Sequence, residues 1–377
     1  MVHKHLAAEA GAKGGAGAVN GKGKQEEEAR ALPPKSPSQR IARVYSFPNA
    51  PTRANNFEEI SEGFKAVQNY ITSMLVTEGG RAPLEDKWQY TRGNGGGITR
   101  VWEGAGQEAL IERGGVNFSA LHGKQLPKAA LAKHGIPEDT QGFSATGVSL
   151  VIHPNNPHIP TIHMNIRYIE VGDGSWWFGG GIDVTPYYPT FEETKDFHVR
   201  LENLCNKFGH DYRSYKEYCD KYFLLHHRME MRGVGGIFFE DVSDKLGYKR
   251  EEIFQFCVQL GVLMVEYYSS VIHAKRDLEF TEAQREFQLI RRGRYAEFNL
   301  VWDRGTKFGL QSKGRIESIF MSLPATARWR YDWKPETNSR EEFIMQRYLQ
   351  PQDWTTARSE DDLILSKSAE VADPSAL

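Results

Sequence analysis

Cysteine is scarce in this chain, with three among 377 residues. Cys205, Cys219 and Cys257 are odd in number and lack CxxC spacing, which argues against a disulfide framework or a cysteine zinc centre and suits free thiols in a reducing compartment. A bias of charge is missing too. Lys and Arg total 47 against 49 Asp and Glu, so there is no global footprint of a nucleic-acid binder. No apolar run approaches the length of a membrane span. Common catalytic fingerprints are also absent: there is no GxSxG, no GxGxxG behind a strand, no P-loop and no HExxH. In an enzyme built this way, substrate and protein must supply the chemistry between them.

What is present is ample material for a core, with 40% hydrophobic and 12% aromatic residues. The first 40 residues are an exception. Their Gly, Ala and Lys with the run Glu26 to Glu28 bury too little apolar surface to fold and imply a disordered tail. Glu9 and that run are unlike an acid-poor presequence, and Ser375-Ala376-Leu377 lacks the basic middle residue of a peroxisomal tripeptide, so a cytoplasmic location is expected. One domain over 41–358 and a flexible tail over 359–377 follow, since no linker interrupts the middle. Helical spacing of Phe57, Ile60, Phe64, Val67, Ile71 and Met74 predicts a helix from Asn55 to Gly79. Further helices are predicted over Phe191 to Phe208, Tyr212 to Arg232 and Glu251 to His273, then from the capping boxes at Thr281 and Ser339. Strands are predicted over Lys87 to Trp102 as a hairpin, Gly233 to Phe239 and Tyr295 to Trp302. Strands and helices do not alternate as βα units, which favours α+β, a large, mainly antiparallel sheet covered by α-helices.

The stretch Thr161 to Tyr188 concentrates groups fit for chemistry. Ile162, Met164, Ile166 and Tyr168 take one face of a strand, while His163, Asn165 and Arg167 share the other. If Ser144 to His153 pairs with it as a hairpin, facing residue numbers sum to about 314, setting Ser149 opposite Asn165 and Gly147 opposite Arg167. A second hairpin through Gly172 to Ser175 sums to about 346, setting Asp183 opposite His163, Gly181 opposite Asn165 and Gly179 opposite Arg167. The resulting surface carries Ser149, His153, His163, Asn165, Arg167 and Asp183 above three glycines, read as a floor for something large and flat. Arginines crowd the Gly-rich and aromatic stretches: Arg167, Arg228, Arg232, Arg291, Arg292, Arg294, Arg315, Arg328 and Arg330. A planar fork binds carboxylates two bonds at a time, so several of them imply a ligand with several carboxylates. The alternatives are surface ion pairs, and a metal held by His153, His163, His198 and His227.

Five stretches resemble one family, the oxygen-dependent coproporphyrinogen III oxidases: KEYCDKYFLLHHRMEMRGVGGIFFED (216–241), PTIHMNIRYIE, WWFGGGIDVTPYY, RRGRYAEFNLVWDRGTKFGL and GRIESIFMSLPATARWRYD. The likeness covers about Asn55 to Trp354. Tyr218 stands where the family usually has Trp, Glu240-Asp241 where it has an Asp pair, and Lys313-Gly314-Arg315 where it has Gly-Ser-Arg. The resemblance implies a flat antiparallel sheet between helical layers. It also implies a homodimer and oxidative decarboxylation of two propionates of coproporphyrinogen III to vinyl groups, with oxygen as co-substrate, in heme synthesis. It implies no metal or organic cofactor. Carried over by motif, it makes His163 the proton donor, Asp183 and Arg232 the acidic and basic pocket residues, and Ser149, Asn165, Ile166, Arg167, Lys313, Gly314 and Arg315 substrate contacts. Asp183 is expected to bind the pyrrole N–H groups while Arg167, Arg232 and Arg315 hold propionates. Asp183→Ala is then expected to abolish turnover without disturbing folding. The competing reading is a tetrapyrrole carrier without turnover; a third is metal-dependent hydrolysis.

Overall fold

Seven segments of alternating burial pair into one antiparallel sheet. The computed structural model describes residues 47, 51–79, 81–90, 94–104, 106, 109–311 and 314–365, with the main chain alone at residue 129. All of them fall in one compact unit, Arg43–Leu377. The expectations for the segment 1–40 and for residues 366–377 lie outside the described residues, as does Lys313. Strands β1 (Leu84–Gln89), β2 (Asn94–Glu103), β3 (Ile111–Gly123), β4 (Phe143–Pro154), β5 (Thr161–Val171) and β6 (Trp176–Thr185) lie side by side in chain order. A separate hairpin joins β7 (Leu224–Leu225) to β8 (Glu230–Met231), and β9 (Gly235–Val242) closes the main sheet beside β6. Both derived registers hold: Ser149 pairs with Asn165 and Gly147 with Arg167, while His163 pairs with Asp183 and Arg167 with Gly179.

One face of the sheet is the core. Val148, Leu150, Ile152, Ile162, Met164, Ile166, Tyr168, Phe178, Ile182 and Val184 are each 1% exposed or less. Against them lie α1 (Phe57–Gly79), α3 (Phe191–Lys207) and α5 (Arg250–Lys275), with α2 (Lys128–Lys133) near β9. The predicted stripes of α1 and α5, including Phe64, Val67, Ile71, Phe256, Leu260 and Met264, are buried in that cluster. Each such side chain contributes about 1.5–3 kcal/mol by leaving water. Among the described residues no helix is long and apolar enough to cross a membrane.

Along the other face, leaving part of it open, lie α4 (Tyr212–Tyr222), α6 (Glu282–Glu297), α7 (Arg304–Gln311) and α8 (Ile316–Phe320), with α9 (Arg340–Phe343) further along the chain. Two expected elements differ here. The helix predicted to Arg232 ends at Tyr222, because the chain turns back through β7 and β8 and the Arg232 N–H donates to the Phe223 carbonyl at 3.0 Å. The strand predicted over Tyr295 to Trp302 is the end of α6 followed by a π-helix, Phe298–Trp302. Its aromatics fit both periods, and the helical one wins because Tyr295 and Phe298, three apart, both flank the Arg232 guanidinium. Residues 359–365, expected to begin a flexible tail, are instead docked: Glu360 accepts from Arg340 at 2.7 Å and Tyr348 at 2.5 Å, and Leu363 is buried.

Glu297, at the end of α6, ties this layer together. It accepts from His227 at 2.8 Å, Arg228 at 2.5 and 2.7 Å, Arg294 at 3.1 Å and Trp329 at 2.9 Å. Burial alone would raise its pKa, but these donors outweigh that and bring it from 4.5 to about 2. A carboxylate depressed on folding stabilises above its unfolded value and loses that contribution as pH falls through its folded one. The unfolding free energy should therefore drop as pH falls from about 4.5 towards 2, and urea titrations of Glu297→Gln should show a shallower drop.

Candidate functional site

Strand alternation carries one row of polar residues across β5, β6 and β9. His163 on β5 faces Asp183 on β6, which faces Gly236 on β9. The Asp183 carboxylate, 1% exposed, accepts from His163 Nδ1 at 2.7 Å and from Arg232 Nη2 at 2.8 and 2.9 Å. Arg232 is 2% exposed, donates also to Asn299 Oδ1 at 3.0 Å, and has its guanidinium carbon 4.2, 4.4 and 4.8 Å from the ring centres of Phe223, Tyr295 and Phe298. Burial alone would raise the Asp183 pKa; the Arg232 charge and the His163 hydrogen bond outweigh it and leave the carboxyl below its usual value. An ionised Asp183 needs a proton on His163 Nδ1, which leaves Nε2 without a protein partner among the described residues. The imidazole is part-exposed, its side chain 22% accessible.

A second row is built on Arg167. It faces Gly179, and its guanidinium donates to Asn165 Oδ1 at 2.9 Å and to Glu240 Oε1 at 3.0 Å. The other Glu240 oxygen accepts from the Tyr218 hydroxyl and from Arg304 Nη2 at 3.3 Å. Tyr218 and Glu240, which lie at two of the departures from the family pattern, thus bond to each other. Arg304 opens α7, whose first turn Asp303 caps by accepting from Thr306 N at 2.7 Å and Oγ1 at 2.8 Å. Asp303 also accepts from Tyr222 at 2.6 Å. At the far side Arg315 pairs with Asp86 and Ser318, while Ser318 meets Thr99 at 2.9 Å and so pins α8 to β2. Gly314 donates to the Gly309 carbonyl at 2.7 Å.

Burial divides the expected site residues. Asp183 and Arg232 are buried and paired with one another, Asp183 1% and Arg232 2% exposed. The Ile166 side chain points into the core on the opposite face, where alternation placed it from the start. His153 lies on the polar face but is buried, bonded to Thr161 Oγ1 at 3.0 Å and the Ser322 carbonyl at 2.9 Å. The glycine floor is not bare either. A Cβ at Gly179 would stand 3.0 Å from Arg167 Nη2, and one at Gly181 would stand 2.7 Å from Phe238 Cδ2, so both glycines make room for protein side chains. The four histidines weighed as ligands have separate partners: His198 bonds Tyr212 at 2.9 Å and Val234 at 3.0 Å, and His227 lies between Glu297 and Trp302.

The reading from residues alone also passed over Asp303, Arg304, Tyr218 and Glu240. The Asp303 spacing to Thr306 is a readable cap; Glu240 carries no such local signal. Among the described residues, part-exposed groups on this side of the sheet include the His163 imidazole and the guanidiniums of Arg167, Arg304 and Arg315, the last three with side chains 34%, 55% and 28% exposed. Each is backed by a carboxylate. This arrangement can seat an anion with several carboxylates and offer a proton donor or acceptor beside it.

Comparison with known proteins agrees with this chemistry. A family model described as coproporphyrinogen III oxidase matches residues 59–354. A curated relative from Dictyostelium discoideum, named oxygen-dependent coproporphyrinogen-III oxidase, is 46% identical over 326 residues, which cover 81% of this chain and 96% of the relative.

Proposed function

Since the chain belongs to the coproporphyrinogen III oxidase family, we propose that it oxidises coproporphyrinogen III to protoporphyrinogen IX with oxygen, in heme biosynthesis. The observation that carries the reading at this site is a part-exposed imidazole, held by a buried carboxylate, on a sheet face that also carries the Arg167 guanidinium. A tetracarboxylate macrocycle supplies the matching anions. In each of two rounds a propionate chain, CH2–CH2–COO−, loses carbon dioxide and one hydrogen to become a vinyl group. The two electrons released reduce O2, which takes up two protons and leaves as hydrogen peroxide; one proton comes from the substrate carbon and one from solvent or a side chain.

The guanidiniums hold propionates and so fix which chain lies beside His163. His163 moves a proton at Nε2, while Asp183 keeps the ring in one orientation and stabilises it when charged. Arg232 holds Asp183 rather than a propionate. Ser149 and Asn165, half-buried on β4 and β5, line the same face. On the same footing we assign the protein to the cytoplasm as a homodimer that needs no metal or organic cofactor. The dispersal of His153, His163, His198 and His227 among separate hydrogen-bond partners favours the metal-free reading. The test is incubation with coproporphyrinogen III with and without oxygen. Pigment analysis should show vinyl products, and peroxide should accumulate, only in air; binding without either would mark a carrier.

A further inference from the structure

We propose that Glu240, supported by Tyr218, is a positioning residue that sets the spacing of Arg167 and Arg304 and so makes them a receptor for two carboxylates of one substrate. The proposal rests on the reading that Arg167 meets the substrate. Its basis is a bulge. Pairing of β6 with β9 steps from Gly180 opposite Phe239 to Phe178 opposite Val242, so Glu240 and Asp241 together face Gly179. Asp241 takes the left-handed conformation, φ 58°, and its carboxylate is pinned by Lys133 at 2.6 Å and His134 at 3.2 Å. Gly179 has no side chain to block the way, so the Arg167 guanidinium crosses β6 and reaches Glu240.

Glu240 then serves two guanidiniums from different layers, with the Lys133 ammonium, paired mainly with Asp241, 3.8 Å from one of its oxygens. One oxygen holds Arg167 of the sheet; the other holds Arg304 of α7 and the Tyr218 hydroxyl of α4. Arg304 Nη2 also donates to Tyr218 Oη at 2.9 Å, and its guanidinium carbon lies 4.8 Å from the centre of the Tyr222 ring. The Glu240 side chain is 17% exposed, against 34% for Arg167 and 55% for Arg304, so the anion sits behind and the cations in front. One carboxylate between two guanidiniums leaves positive charge unanswered, and anchoring both removes much of the rotamer freedom that binding would otherwise cost. A ligand carboxylate completes the charge balance.

The test uses the full chain with coproporphyrinogen III under air. E240Q should raise KM about tenfold while kcat changes less than about threefold, as expected for loss of a charge-assisted hydrogen bond that acts on binding. Y218F should raise KM about threefold, and the double variant should match E240Q, because Tyr218 acts through Glu240. Thermal melts control for folding; should E240Q not fold, Y218F alone decides by its KM. An unmoved or lowered KM in E240Q, or additive effects in the double variant, overturns the proposal. Absence of turnover in the unaltered chain would instead sink the functional reading itself.

Discussion

Asp183→Ala should destabilise the protein by about 3–5 kcal/mol and abolish turnover, because it strands a guanidinium in the interior. Arg232 is 2% exposed and, among the described residues, has only Asn299 as another side-chain acceptor. Its Nε is already buried without a hydrogen-bond partner among the described residues. Losing Asp183 would leave its charge facing the rings of Phe223, Tyr295 and Phe298, which cannot replace a carboxylate. This revises the expectation that the substitution spares folding. Asp183→Asn keeps the volume and two polar atoms, and should lose less stability while still costing turnover, since an amide neither offsets Arg232 nor stabilises a charged imidazole. Urea titration of both variants beside the rate measurement checks the order; equal stability of Asp183→Ala and the unaltered chain would refute the buried pairing.

His163→Ala should behave in the opposite way, leaving stability within about 1 kcal/mol and reducing kcat by about 10²–10⁴, the usual contribution of a positioned proton-transfer group. The imidazole is part-exposed and its one hydrogen bond among the described residues is to Asp183, which keeps two bonds from Arg232 without it. Comparable kcat in His163→Ala would remove the imidazole from the chemistry, whatever its position. Taken together, the two variants separate a group that meets the substrate from one that holds the site in shape.

Much of the site was legible because strand geometry is strict. Period-two alternation and turn length alone placed His163 opposite Asp183 and Arg167 opposite Gly179. The meaning of the glycines was not legible, since nothing local says whether a missing side chain admits a ligand or a neighbour. At Gly179 the neighbour is Arg167, and at Gly181 it is Phe238. Depth was also hidden: Asp183 lies on the polar face as derived, yet Arg232, arriving from a turn after α4, covers it. Tyr295 to Trp302 failed for a different reason, as a short aromatic run satisfies two periods and only the packing around Arg232 chooses. Glu240 reaches the site by a one-residue bulge, which no alternation rule foresees.

The order of the sheet has a consequence for how the molecule is made. Six strands pair with the neighbour that precedes or follows them in the chain, so hairpin after hairpin can zip while later segments are still emerging from the ribosome. Asp183 is laid down by that local process, but the cation that neutralises it comes from beyond α4, and Asp303 and Arg304 come later still. The interior charge is thus answered only once the chain has passed Arg232, and the Arg167–Glu240–Arg304 cluster only once it has passed Arg304, so a half-synthesised polypeptide has the strands of the sheet without either.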